Sequence, residues 1–367
     1  MIEFLEWKSD FGRTVQRFAA WWQGELIDRA LVTLNVRQAT PPAKTGAHPA
    51  GMRQAWMDVQ YVVDRAIAAM GRRAYIGDSY PLFWPNLGPD ICATLFGSDL
   101  QFAPNTSWSS PVVHSPDDWR RIIDSKPDFD NEYWQTIERM TDYAIEICQG
   151  RYIVGVTDLH GNYDLLAALR DPQALCMDML DCPDLVRRAG ALMADTFNRC
   201  LLRLWAKLKA AGMGCTTWLP AYHTGPCHAT SCDFWCMVSP QMAREMVLPD
   251  IVTEMKHLER SIFHLDGPRA LPHLDLLLQL PNLQAIQWVY GAGQGPAARW
   301  MDVYRRIRAA GKSVMVCARD GADALAVLQE IGPRGVWLSI EQPFATADDA
   351  RAFVQDVERN SARKDRS

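Results

Sequence analysis

The chain has 367 residues, 48% of them hydrophobic, with 38 basic and 43 acidic side chains intermixed for a formal charge of −5. That is enough apolar material for a large core, and the lack of a basic stripe argues against a nucleic-acid partner. The first residues, Met1-Ile2-Glu3-Phe4-Leu5-Glu6, lack the basic-then-apolar layout of a signal peptide. No apolar run reaches the ~18 residues that cross a bilayer, so a soluble cytoplasmic protein is expected, with no membrane partner. The ten cysteines include no CxxC pair. In a reducing compartment they favour core packing, ligation or catalysis over disulfides.

Short apolar, β-branched runs alternate with helical stretches. In chain order the expected strands are 30–36, 74–78, 152–158, 215–219, 261–266, 285–290, 313–317 and 336–340. Helices are expected over 296–309, with proline in the first turn and Gly311 just past the end, and over 323–331 and 348–358. Near-continuously apolar strands between helices imply a parallel sheet covered on both faces. Eight such units predict a (β/α)8 TIM-type barrel, with long loops over its C-terminal mouth. The two long segments are the Pro- and Trp-rich stretch around 80–89 and the Cys- and His-containing segment 220–239. No repeat or linker divides the chain, so one domain over 1–367 with an N-terminal extension is expected, ending in a disordered basic tail at 360–367.

In such a barrel, polar groups just past the strand C-termini point into the active-site mouth. Here those positions hold Asp158 and His160, then Trp218, then His264 and Asp266, then Gln287 and Trp288, then Cys317 and finally Glu341. Residues two apart on a strand share a face, so His264 with Asp266, and Asp158 with His160, suit joint ligation or acid–base work. The blander alternative for Asp266 is capping the Gly-Pro turn that follows, and for Cys317 filling core space. The segment Cys227-His228-Ala229-Thr230-Ser231-Cys232-Asp233-Phe234-Trp235-Cys236 has spacings loosely like metal ligands, but no second pair completes a four-ligand structural site. It is read instead as a cover over the mouth, with Asp233 or Cys232 reaching the pocket. The glycine-rich 291–295 lacks a full GxGxxG and is read as a turn. Aromatic residues including Trp84, Trp218, Tyr222 and Trp288 are candidates for pocket walls, alongside Asp233 and Gln287 as substrate contacts; for roughly half of such aromatics, packing is the expected role.

Ser231-Cys232-Asp233-Phe234, Val238-Ser239-Pro240, Leu248-Pro249, Phe263-His264-Leu265-Asp266-Gly267 and Ile286-Gln287-Trp288-Val289 together resemble the uroporphyrinogen decarboxylase superfamily. That superfamily also contains cobalamin-linked methyltransferases. The likeness is best over 155–354 and extends more weakly through Pro85-Asn86-Leu87-Gly88-Pro89 and Thr106-Ser107-Trp108 back to Trp22. It is that of a divergent member. The decarboxylases grip substrate carboxylates with an arginine-rich N-terminal segment, whereas 39–51 here is rich in proline and alanine and Arg53 stands alone. The methyltransferase branch binds zinc through a His-x-Cys pair and a later cysteine. The matching pair here is His264-x-Asp266, with Cys317 near the later position, a harder three-ligand set.

The resemblance therefore implies zinc-assisted methyl transfer between a small substrate, or a thiol, and a partner protein carrying cobalamin. His264, Cys317 and Asp266 would hold the zinc. Asp158, His160, Asp266 and Glu341 are the expected catalytic residues. One alternative is a metal-independent decarboxylase acting on a different substrate, in which Asp158 or Asp266 stabilises a cationic intermediate. Another is a small-molecule binding protein that kept the barrel without the chemistry.

Overall fold

A computed structural model describes residues 4–37 and 49–365. Ten strands occur among them: β1 Leu31–Thr33, β2 Leu82–Phe83, β3 Leu100–Phe102, β4 Ser107–Ser109, β5 Ile153–Val154, β6 Cys227–Ser231, β7 Arg260–Asp266, β8 Ala285–Val289, β9 Ser313–Ala318 and β10 Val336–Ile340. Six form one all-parallel sheet in the order β1-β10-β9-β8-β7-β6. A parallel pair, β2-β5, stands beside it, and β3 with β4 forms a small antiparallel hairpin. The fold is thus α/β around a parallel sheet, as the apolar runs predict.

Five expected strands lie in the sheet, four of them consecutive in the second half of the chain, where each run is largely apolar. Two others differ. Segment 74–78 forms no strand. Asp78 is buried at its end, where its carboxylate accepts the Val32 N–H at 2.9 Å and pairs with Arg29 at 2.6 Å and Arg17 at 3.1 Å. Ser79 Oγ likewise donates to Leu34 O and accepts the Leu34 N–H. Asp78 N–H still donates to Val32 O, but side chains take the other positions that a backbone ladder would fill, and regular strand pairing moves on to Leu82. Segment 215–219 gives only an isolated bridge, Cys215 to His223, while Val156 N–H donates to Thr216 O at 2.8 Å. The strand of that region is instead β6, inside the stretch expected to be a loop. Its Cys-His-Ala-Thr-Ser sequence carries little hydrophobic signal, yet all five residues are buried.

Strand alternation splits the apolar side chains into two clusters, one on each face of the sheet. Phe263, Leu265, Ile286, Trp288, Val314, Val316 and Leu338 face the surrounding helices. Ala229, Ile262, Ala285, Met315, Trp337 and Leu31 face the opposite way. Helix Phe11–Trp22 fills that inner side with Phe11, Val15, Phe18, Trp21 and Trp22, spaced as one stripe of a 3.6-residue period. Trp21 O accepts the hydroxyl of Ser313, the first residue of β9, so the helix stoppers the N-terminal end of the sheet. The C-terminal end is left to the polar residues.

The terminal helix, Ala347–Lys364, opens with a capping box between Thr346 and Asp349. It carries 360–364, expected to be disordered, into regular structure, while 366–367 and most of the Pro/Ala-rich 39–51 stretch lie outside the described residues. No helix among the described residues is long and apolar enough to cross a membrane.

Candidate active site

Parallel register sets the inward positions in layers. Ser231, His264, Gln287, Met315, Trp337 and Leu31 pair in succession across the six strands. One layer further toward the C-terminal ends come Asp266 beside Val289, and Cys317 beside Ser339 beside Thr33. His264 and Asp266 therefore share a face, as their spacing predicts. Asp233 reaches them from the turn after β6: one ligand atom each from Asp233, His264 and Asp266 lie within 4.8 Å of one another. The edge of the Trp218 ring packs on the His264 imidazole at 5.3 Å. The buried Trp218 indole N–H has no partner among the described residues.

His264 is held from the other side. Its Nδ1 lies 2.6 Å from Gln287 Oε1, and Gln287 Nε2 donates to Cys317 Sγ at 3.7 Å. Cys317 is thus separated from the Asp233–His264–Asp266 group by the glutamine. Burial and the Glu341 carboxylate push its thiol up to about 12, against the pull of the Gln287 N–H.

The turn after β5 supplies the second half of the site. His160 Nε2 stands 3.5 Å from Asp158 and its Nδ1 3.8 Å from Asp164. Burial alone would lower the imidazole, but Asp158, Asp164 and Asp233 hold it up to about 10. Asp158 is lifted by burial and drawn down more strongly by His160, His228 and His264, for a net lowering. Poor solvation, Asp164 and Asp266 raise Asp233 to about 6, against His264 and His160.

Asp164, which the sequence did not single out, supports this candidate site. Its carboxylate accepts the backbone N–H of Asp233 at 3.0 Å and of Phe234 at 2.8 Å, fixing the turn that presents Asp233. The available signal was its spacing four residues after His160, at the start of helix Asn162–Arg170. Asn162, at a φ of 40°, adds a tie from its amide to Ser231 O at 2.8 Å and to buried Glu254 at 3.0 Å. Gly161 is required beside it, because a Cβ there would meet Glu254 Oε1 at 2.0 Å.

Two clefts flank this centre. One of about 610 Å³ lies past the ends of β1 and β10, lined by Trp84 and by Arg37 and Arg73 among others. Neither arginine lies in a recognisable motif, although Arg37 follows a strand end as the other site residues do. Arg53, the arginine singled out in the sequence, is tied up with Glu132 and Tyr133. The second cleft, about 430 Å³, holds Cys317, Glu341, Tyr290 and Arg319. Burial and Asp323 raise the Glu341 carboxyl. Two expected pocket walls are core instead. Trp288 alternates to the helix-facing side and packs on Trp300 at 5.2 Å. Tyr222 is buried in the inner cluster against Phe11 at 5.2 Å.

No protein-family model matches the chain, and no curated protein does. Among solved structures it is similar to a methyltransferase from Methanosarcina mazei, with a TM-score of 0.62 at 11% identity over 94% of this chain and 98% of that one. A B12-independent methionine synthase from Shewanella sp. W3-18-1, in complex with selenomethionine, matches at a TM-score of 0.37 and 10% identity, over 74% and 75% of the two chains. The first likeness establishes a fold shared over nearly the whole of both chains.

Proposed function

We propose that this chain is an enzyme of a corrinoid-dependent system, passing a methyl group between a small substrate or thiol and the cobalamin of a partner protein. The observation that carries this is the meeting of Asp233, His264 and Asp266 at the C-terminal mouth. The fold likeness to a methyltransferase supports it, as does the sequence resemblance. We take the six-stranded sheet, β2-β5 and the segment around Thr216 as the wall of a closed (β/α)8 barrel, which places the group in the position barrels use for chemistry.

One imidazole and two carboxylates make a three-ligand set of the kind catalytic zinc sites use, leaving a fourth position for substrate. Zinc bound there would lower the pKa of a thiol or polarise a leaving atom. His264 would ligate through Nε2, because Nδ1 is committed to Gln287. Asp233 would bring the second carboxylate to the metal from the turn after β6. His160, between Asp158 and Asp164, holds a proton beside the reacting groups. Trp218 screens His264 from water. The partner's cobalamin would supply or accept the methyl group, while His264, Asp233 and Asp266 would hold the zinc that activates the thiol or substrate.

Elemental analysis of tag-free protein tests the site: about one zinc per chain, lost in His264→Ala and kept in Cys317→Ser. Added methylcobalamin and a thiol should then show thiol-dependent loss of the methylcobalamin spectrum. Zinc absent from the wild type, or retained in His264→Ala, overturns the assignment. A second reading is favoured by Arg37 and Arg73 in the larger cleft, which suit a carboxylated substrate. In it the chain is a metal-independent decarboxylase with Asp158 as the stabilising charge, and release of carbon dioxide insensitive to chelator would select it.

A further inference from the structure

We infer that Gln287 is a positioning residue that fixes the tautomer and aim of His264, and that Cys317 acts on the site through Gln287 rather than as a ligand. The inference rests on the proposed zinc site and deepens it.

The orientation of the Gln287 amide sets the arrangement. A carboxamide has one oxygen, which only accepts, and one NH2, which only donates. The Gln287 NH2 donates a hydrogen bond to Cys317 Sγ at 3.7 Å, with the oxygen turned toward His264. At 2.6 Å from Nδ1, that oxygen requires Nδ1 to carry the hydrogen. The Nε2 lone pair is then free for the group formed with Asp233 and Asp266. All three partners are fixed by the sheet: His264 and Gln287 are register partners on β7 and β8, and Cys317 stands on the next strand, β9. Gln287 is 5% exposed and Cys317 8%, so water does not compete freely for either bond. An outer partner that orients a ligating histidine is typically worth about 10–100-fold in metal affinity.

The experiment uses the full chain in metal-free form, labelled with 15N-histidine, followed by zinc titration against a competing chelator. The His264 signal is assigned by its loss in His264→Gln. At a pH where the ring is neutral, the wild type should show the Nδ1–H form. Gln287→Leu should lose that preference and bind zinc about 10–100-fold more weakly. Gln287→Glu retains an acceptor for Nδ1–H and should restore both readouts, which a merely structural role would not do. Cys317→Ser keeps a group able to accept the amide N–H and should bind zinc within a few-fold of wild type. An Nε2–H form in the wild type, or an unchanged tautomer and zinc affinity in Gln287→Leu, overturns the inference. If the wild type shows the Nδ1–H form, lost in Gln287→Leu, yet binds no zinc, the zinc reading fails while the positioning role stands.

Discussion

Replacing His160 with glutamine should remove a pH-dependent contribution to folding stability. The imidazole is held up to about 10 in the folded chain, against an ordinary 6.5. A raised value means that the folded state binds the proton more tightly than the unfolded state does. The stabilisation is therefore complete below about pH 6.5 and is lost as pH rises through about 10. At 1.36 kcal/mol for each pH unit between those values, the ceiling is about 5 kcal/mol. The actual contribution is smaller, because the side chain is 18% exposed and water screens part of the attraction. A few kcal/mol is the expected size. Urea unfolding of wild type and His160→Gln between pH 6.5 and 10 reads the difference directly, since lysines and tyrosines common to both cancel. The wild type should be the more stable at pH 6.5, with the gap closing toward pH 10. Below pH 6 the comparison is less simple, because Asp233 also gains a proton there. Parallel curves, or a gap widening with pH, would refute the account of His160 as a proton-holding group between Asp158 and Asp164.

Asp164→Ala strands two backbone N–H groups and should cost about 1.5–3 kcal/mol in urea unfolding. Affinity for zinc at the proposed site should fall with it as Asp233 loses its anchor, and an unaltered affinity would remove Asp233 from the proposed ligand set. Trp288→Ala opens a cavity on the helix-facing side and should cost about 3–5 kcal/mol, while leaving zinc binding by the folded fraction intact. Trp218→Ala should do the reverse, changing the surroundings of His264 with the smaller loss of stability; equal effects from the two would contradict the division of the sheet into two faces.

Much of the fold was written locally. β7 to β10 are short apolar runs with turn residues at their ends, and each of those runs forms a sheet strand. The pairing of His264 with Asp266 on one face follows from the two-residue period of a strand, and so does the gathering of polar groups at strand C-termini. The same period also separates neighbours: Gln287 and Trp288 cannot both face the site, and only the register with His264 shows that the glutamine does.

By itself the sequence determined the elements whose side chains and backbone agree, because burial of an alternating or continuous apolar run is a local property. Tertiary structure decided the rest, wherever a group's partner lies far along the chain. Asp78 replaces a strand bond because Val32, Arg17 and Arg29 come to it. β6 becomes a strand, with little hydrophobic signal, because β7 offers its edge. Asp233 joins His264 and Asp266, and Cys317 stands apart, because Asp164 holds one turn and Gln287 fills one inward position. Those choices are set by hydrogen-bond geometry across some tens of residues, which no window of sequence contains.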